Sequence, residues 1–216
     1  MNKLHKNKQY YEDKDWTNEK IRQEIDNGLE LLSNVNKKIV TFFGSHMIKK
    51  NHEYYKHAEN LAFELGKRGY AIVTGGGPGI MQAANSGATR AKTTSIGLRA
   101  ELLTDEFVKE PILTHDLSFH FLFVRRFIMH IKSEAVIFYP GGYGTLNEIF
   151  EHLVLMQTGI LDKIPIICVN KKYWRDLFNW LKKNPLKQGF LKYNKKDIEL
   201  LHFADNFEEI IQTIEK

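Results

Sequence analysis

Short, largely apolar runs, most of them followed by a longer segment of helical periodicity, recur along most of this 216-residue chain. No other feature constrains the fold as much. Apolar runs at 38–43, 70–74, 94–98, 135–139, 164–169 and 198–203 read as strands. Between and after them, residues 53–67, 80–91, 117–132, 146–158, 172–184 and 207–216 carry apolar positions at helical spacing. Residues 100–116 lack clear periodicity and are expected to form a loop or short strand over a site. Strands that are apolar on both faces and separated by helices belong to a parallel sheet covered on each side. The expected fold is therefore single-domain α/β, a doubly wound, Rossmann-like parallel sheet with helices on both faces. It should occupy residues 38–216 as a nucleotide-binding domain. Residues 1–37 should form an N-terminal arm and one helix, capped by Thr17 and running to about Ser33.

Two of the strand ends carry glycine turns. The run Pro140-Gly141-Gly142-Tyr143-Gly144-Thr145-Leu146-Asn147-Glu148 joins an apolar strand to an amphipathic helix. Such a junction turns unpaired backbone N–H groups and a helix dipole toward a cleft, which suits phosphate. Thr74-Gly75-Gly76-Gly77-Pro78-Gly79 ends another strand in the same way. It fits neither G-x-G-x-x-G, since Ile80 stands where glycine is needed, nor a P-loop, since no Gly-Lys-Ser/Thr follows. Its missing side chains would let a ligand approach the backbone.

Arg125 and Arg126 lie in the apolar segment 119–129, where a guanidinium requires an anionic partner. Being consecutive on a helix, they should serve different partners. Glu148 has two readings. Thr145-x-x-Glu148 can be a capping box, or the carboxylate, held ionised near a helix N-terminus, can activate water or stabilise an oxocarbenium-like centre. Ser45 can bind a ligand or cap the segment after it.

Composition narrows the function further. The net charge of +5 comes from scattered lysines; only seven of the 31 basic residues are arginine. That distribution argues against a nucleic-acid-binding stripe. No apolar stretch is long enough for a membrane helix, and the polar N-terminus is no secretory signal. The single Cys168, inside an apolar run, reads as a small buried hydrophobe. A cytoplasmic location is expected. The nine histidines show no metal-ligand spacing, so neither a metal nor another cofactor is expected.

Taken together, Phe43-Gly44-Ser45, Gly75-Gly76-Gly77-Pro78-Gly79-Ile80-Met81, Arg125 and the 140–148 motif resemble the Lonely Guy (LOG) family of nucleoside 5′-monophosphate phosphoribohydrolases. Members of this family are often mislabelled lysine decarboxylases. The resemblance implies hydrolysis of the N-glycosidic bond of a nucleotide, AMP-like or N6-prenylated, to a free base and ribose 5-phosphate. It implies Arg125 and Glu148 as catalytic pair. Ser45, Gly75, Gly76, Gly77, Gly79, Met81, Arg126, Gly141, Gly142, Tyr143, Gly144 and Thr145 would bind the substrate. It also implies a homodimer or higher homo-oligomer. Departures from the family pattern fall at Arg126, Asn147, Gln82 and Val154.

Overall fold

The computed structural model describes residues 7–101, 112–191 and 200–216. A short helix α1 (Asn7–Glu12) leads into α2 (Lys14–Ser33). The chain then runs β1 (Ile39–Phe43), α3 (Glu53–Lys67), β2 (Ala71–Thr74), α4 (Ile80–Arg90), β3 (Ser95–Ala100), β4 (His115–Phe119) and α5 (Leu122–His130). It continues through β5 (Ser133–Phe138), α6 (Tyr143–Thr158), β6 (Ile166–Cys168), α7 (Lys171–Leu181), β7 (Leu201–Phe203) and α8 (Phe207–Glu215). Seven strands form one sheet in the order β4-β3-β2-β1-β5-β6-β7, and every pairing is parallel. The chain is thus an α/β protein of the doubly wound type.

The alternation of side chains along each strand divides the core in two. Val40 and Phe42 of β1, with Ile72, Ile137 and Ile167, pack against Leu61, Leu65 and Ala84 from α3 and α4 and against Ile210 of α8. Ile39 and Phe43, with Val73, Val136, Phe138 and Ile166, meet Leu32, Ile128, Ile149 and Trp174 on the other face. Cys168 is free and buried in that second layer, as its apolar context predicts.

Several boundaries differ from expectation. Asp13 caps α2, accepting from the Trp16 backbone N–H at 3.1 Å, so the helix starts before Thr17. The Thr17 hydroxyl instead donates to the Tyr10 carbonyl at 2.9 Å. Residues 117–119, expected to open a helix, belong to the edge strand β4, whose register runs from Ile96↔His115 to Ala100↔Phe119. Leu117, Phe119 and Phe121 recur every second residue, a strand period that the surrounding helical pattern obscures. Helix α6 starts at Tyr143, three residues early, and α7 gives way to a π-helical turn, Lys182–Leu186, around Pro185. Most of the 100–116 segment and the start of the 198–203 strand lie outside the described residues.

Candidate active site

From β1 the chain proceeds outward through β2, β3 and β4, then returns to place β5 on the opposite side of β1. Loops leaving the carboxyl ends of β1 and β5 therefore diverge, and such a switch point leaves a crevice in an open parallel sheet. A cleft of about 500 Å³ occupies it. Ser45, Gly75, Gly76, Gly77, Met81, Arg125, Gly142, Tyr143, Gly144, Thr145 and Glu148, all singled out from the sequence, line it.

One wall is the N-terminus of α6. Gly142 is its N-cap and supplies no side chain to the first-turn N–H groups. A Cβ added to Gly142 or Gly144 would meet nothing within 4 Å, so the backbone there is open to a ligand. A sixteen-residue helix adds its dipole to those donors, and the combination suits an anion. Gly141 does not line the cleft. A Cβ there would come within 2.2 Å of the Thr145 Oγ1 and 3.1 Å of the Ser45 N, so this glycine lets the two loops close on each other. Ser45 meets the local half of its reading and stands where the other half would need it. It lines the cleft, and its Oγ accepts from the Met47 N–H at 3.1 Å.

The opposite wall gives the second glycine turn, which lines the cleft, a further role. A Cβ on Gly75 would lie 2.1 Å from an Nη of Arg125, and one on Gly76 would lie 2.8 Å from the Cγ of Arg99. The absent side chains make room for two arginines, which then face the cleft. The turn itself is held from below. Thr74 Oγ1 accepts from the Gly76 N–H at 2.9 Å and donates to Asn85 Oδ1, while Asn85 Nδ2 donates to Ser95 Oγ at 3.0 Å. Gly79 lies outside the lining. It has φ +70°, and a Cβ would approach the Ser45 carbonyl to 2.3 Å, so its role is close packing of two loops.

Arg125 and Arg126 diverge as their helical spacing predicts. Arg125 is anchored by its Nε, which donates to the Leu98 carbonyl at 2.7 Å, and its head reaches the cleft. Arg126 is not part of the lining; its Nε pairs with the Glu151 carboxylate. Below that pair, His130 Nδ1 meets His152 Nε2 at 2.9 Å. Burial holds both rings neutral, pushing their pKa values down to about 2 and about 4.

Glu148 differs from expectation in two ways. With α6 beginning at Tyr143 and no side chain capping it, Thr145-x-x-Glu148 is not a capping box. Nor is the carboxylate held firmly ionised. Burial raises its pKa from 4.5 to about 7, against the opposing pull of Arg125 and then Arg126, with Glu151 adding to the rise. A carboxyl that exchanges its proton near neutrality can act as base and as acid.

Arg99, His46 and Met47 also line the cleft and were not singled out from the sequence. Arg99 stands near the carboxyl end of β3, where side chains of a parallel sheet face the ligand crevice. That position was the available signal.

The architecture and the site define a class, the doubly wound α/β proteins with a switch-point cleft, here walled by a helix N-terminus and by Arg99 and Arg125. The sequence model of the family described as "possible lysine decarboxylase" matches residues 81–214. Cytokinin riboside 5′-monophosphate phosphoribohydrolase LOG4 of Arabidopsis thaliana is 31% identical over 186 residues, spanning 83% of this chain and 82% of that protein. LOG5 of the same plant is 29% identical over 189 residues, spanning 87% and 81%. The chain belongs to this family, the LOG family. Among solved structures, the molybdenum cofactor binding protein of the phototrophic bacterium Rippkaea orientalis shares the fold with a TM-score of 0.62 at 22% identity, covering 84% of this chain and 98% of that one.

Among the described residues, no helix is long and apolar enough to cross a membrane. Among the same residues, no group of three or more His, Cys, Asp or Glu side chains could hold a metal ion.

Proposed function

We propose that this protein hydrolyses the N-glycosidic bond of a nucleoside 5′-monophosphate, releasing the base and ribose 5-phosphate. The observation that carries the reading is the convergence of Arg125 and Glu148 in one cleft with the open N-terminus of α6. The 5′-phosphate would rest on the first-turn N–H groups at 143–145. The ribose would then lie between Arg125 and Glu148. As the C1′–N bond breaks, positive charge develops on the sugar and the Glu148 carboxylate stabilises it. Water adds its hydroxyl to C1′ while Glu148 takes the water proton and passes it to the departing base. A pKa of about 7 suits both halves of that transfer.

The names of the LOG4 and LOG5 relatives, phosphoribohydrolases acting on a riboside 5′-monophosphate, support the same reaction class. The decarboxylase description is not adopted, because among the described residues the cleft lining contains no lysine to form a Schiff base. We also propose that the protein works as a homodimer. Leu122, Phe123 and Phe127 of α5 and Val154 of α6 are each about half exposed, an apolar surface that a second copy would cover.

The decisive experiment is incubation with AMP, GMP, CMP and isopentenyl-AMP, followed by chromatography of released bases. Base release that is abolished separately by Glu148→Gln and Arg125→Ala is the expected result. Tight nucleotide binding without any base release would instead make the chain a carrier of the same fold.

A further inference from the structure

Arg99 stands apart from the catalytic pair yet lines the same cleft, and its side chain is only 15% exposed. It leaves β3 near its carboxyl end, three strand positions from β5 in the order β3-β2-β1-β5. At roughly 4.8 Å per strand, the anion cradle after β5 and the end of β3 are separated by about 14 Å. An extended nucleotide spans a gap of that order. With the phosphate on α6 and the ribose beside Arg125 and Glu148, the base points toward β3. The Arg99 stem lies over Gly76, and its Nε is 3.4 Å from the Asp116 carboxylate, which comes from the adjacent edge strand β4. Gly76, with φ +68° and 2.8 Å between an added Cβ and the Arg99 Cγ, is the residue that admits this side chain to the cleft.

Guanidinium groups donate hydrogen bonds and accept none. A 6-oxopurine offers two acceptors, O6 and N7, on one edge, which matches the planar fork of arginine. Adenine presents an amino group at position 6, a donor facing a donor, and an N6-alkyl group adds bulk to the same clash. A site that has to leave a partly buried donor unpaired discriminates strongly against the wrong base. We infer that Arg99 reads the base and gives the cleft a preference for 6-oxopurine nucleotides, GMP and IMP, over AMP. This inference rests on the nucleotide hydrolase reading and names the substrate class within it.

The test compares kcat/KM for GMP, IMP and AMP in the unmodified protein and in Arg99→Met. GMP and IMP should exceed AMP by tenfold or more, and Arg99→Met should bring the three within about threefold of one another. Arg99→Lys keeps a charged donor and loses the fork, so it should keep part of the preference, between the unmodified protein and Arg99→Met. A residue needed only for folding would lower all three values together. AMP turned over as well as GMP, or a ratio unchanged in both variants, overturns the inference. If no base is released from any nucleotide, the hydrolase reading fails, and the dissociation constants of GMP and AMP still decide the role of Arg99. A tenfold preference for GMP that Arg99→Met removes upholds it, and equal affinities refute it.

Discussion

Glu148 carries the largest consequences at the scale of single residues. Its pKa of about 7 means that half its population is protonated at neutral pH. Because the proposed mechanism starts from the carboxylate, kcat/KM should rise with pH through about 7 with a one-proton slope and then level off. A profile that falls through the same range would mean that Glu148 enters as an acid. The same shift is a stability statement. A carboxyl whose pKa is higher folded than unfolded binds its proton more tightly in the native state, so stability declines as pH rises from about 4.5 to about 7. Glu148→Gln should therefore stabilise the fold at pH 8, by about 1–3 kcal/mol, and much less at pH 4.5, as measured by urea unfolding at both pH values. Gly75→Ala tests the arginine shelf. The new methyl group collides with the Arg125 head and the Met81 sulfur, both ends of flexible side chains. Turnover should fall roughly tenfold or more through misplacement of Arg125, with the melting temperature little changed.

Helix α5, at the scale of elements, holds Arg125 but has no cap of its own. Phe121 is its N-cap and supplies no capping side chain. The carboxylate of Glu24, buried on α2, accepts from the backbone N–H of His120 at 2.6 Å and of Phe121 at 3.2 Å. Lys20, one turn earlier, lies 3.6 Å from that carboxylate. Helix α2 is thereby tied to the helix that carries Arg125 by packing and by charge, with Gly28 admitting Ile128 at their crossing. Glu24→Ala leaves two backbone donors without their acceptor and should cost about 2 kcal/mol in chemical denaturation. It should also slow turnover, because α5 loses the contact that fixes its start.

For the whole molecule, the exposed apolar side chains on α5 and α6 lead to a prediction about assembly. Light scattering at micromolar concentration should give the mass of a dimer, and Phe123→Glu should halve it. Phe123 is 51% exposed, so the substitution itself should leave the protomer folded. A monomeric mass for the unmodified protein would contradict the proposed assembly.

The strand-and-helix alternation was legible because short, largely apolar runs have few other places to go, and six of the seven strands among the described residues could be read in this way. Strand β4 could not. It lies at the sheet edge with an exposed face, so its pattern is polar and its partner Ile96 to Ala100 is supplied only by the fold. The motif at 140–148 marked a loop that walls the cleft, and Arg125 and Glu148, named from the chain, line that same cleft. Their local spacing misled on detail. Thr145 and Glu148 matched a capping box that Gly142 makes unnecessary, and the carboxylate assigned a firm charge proved to be raised to about 7 by burial. Burial is a sum over neighbours from distant segments, which no local pattern contains. What the sequence determined by itself is the order of strands and helices and the chemistry available at their junctions, since both follow from short-range periodicity and backbone geometry. The tertiary structure alone decided which guanidinium faces the cleft, that Gly75 and Gly76 make room for arginines, and how strongly Glu148 holds its proton. Those outcomes depend on distances across the sheet, set only once the crossover connections have packed.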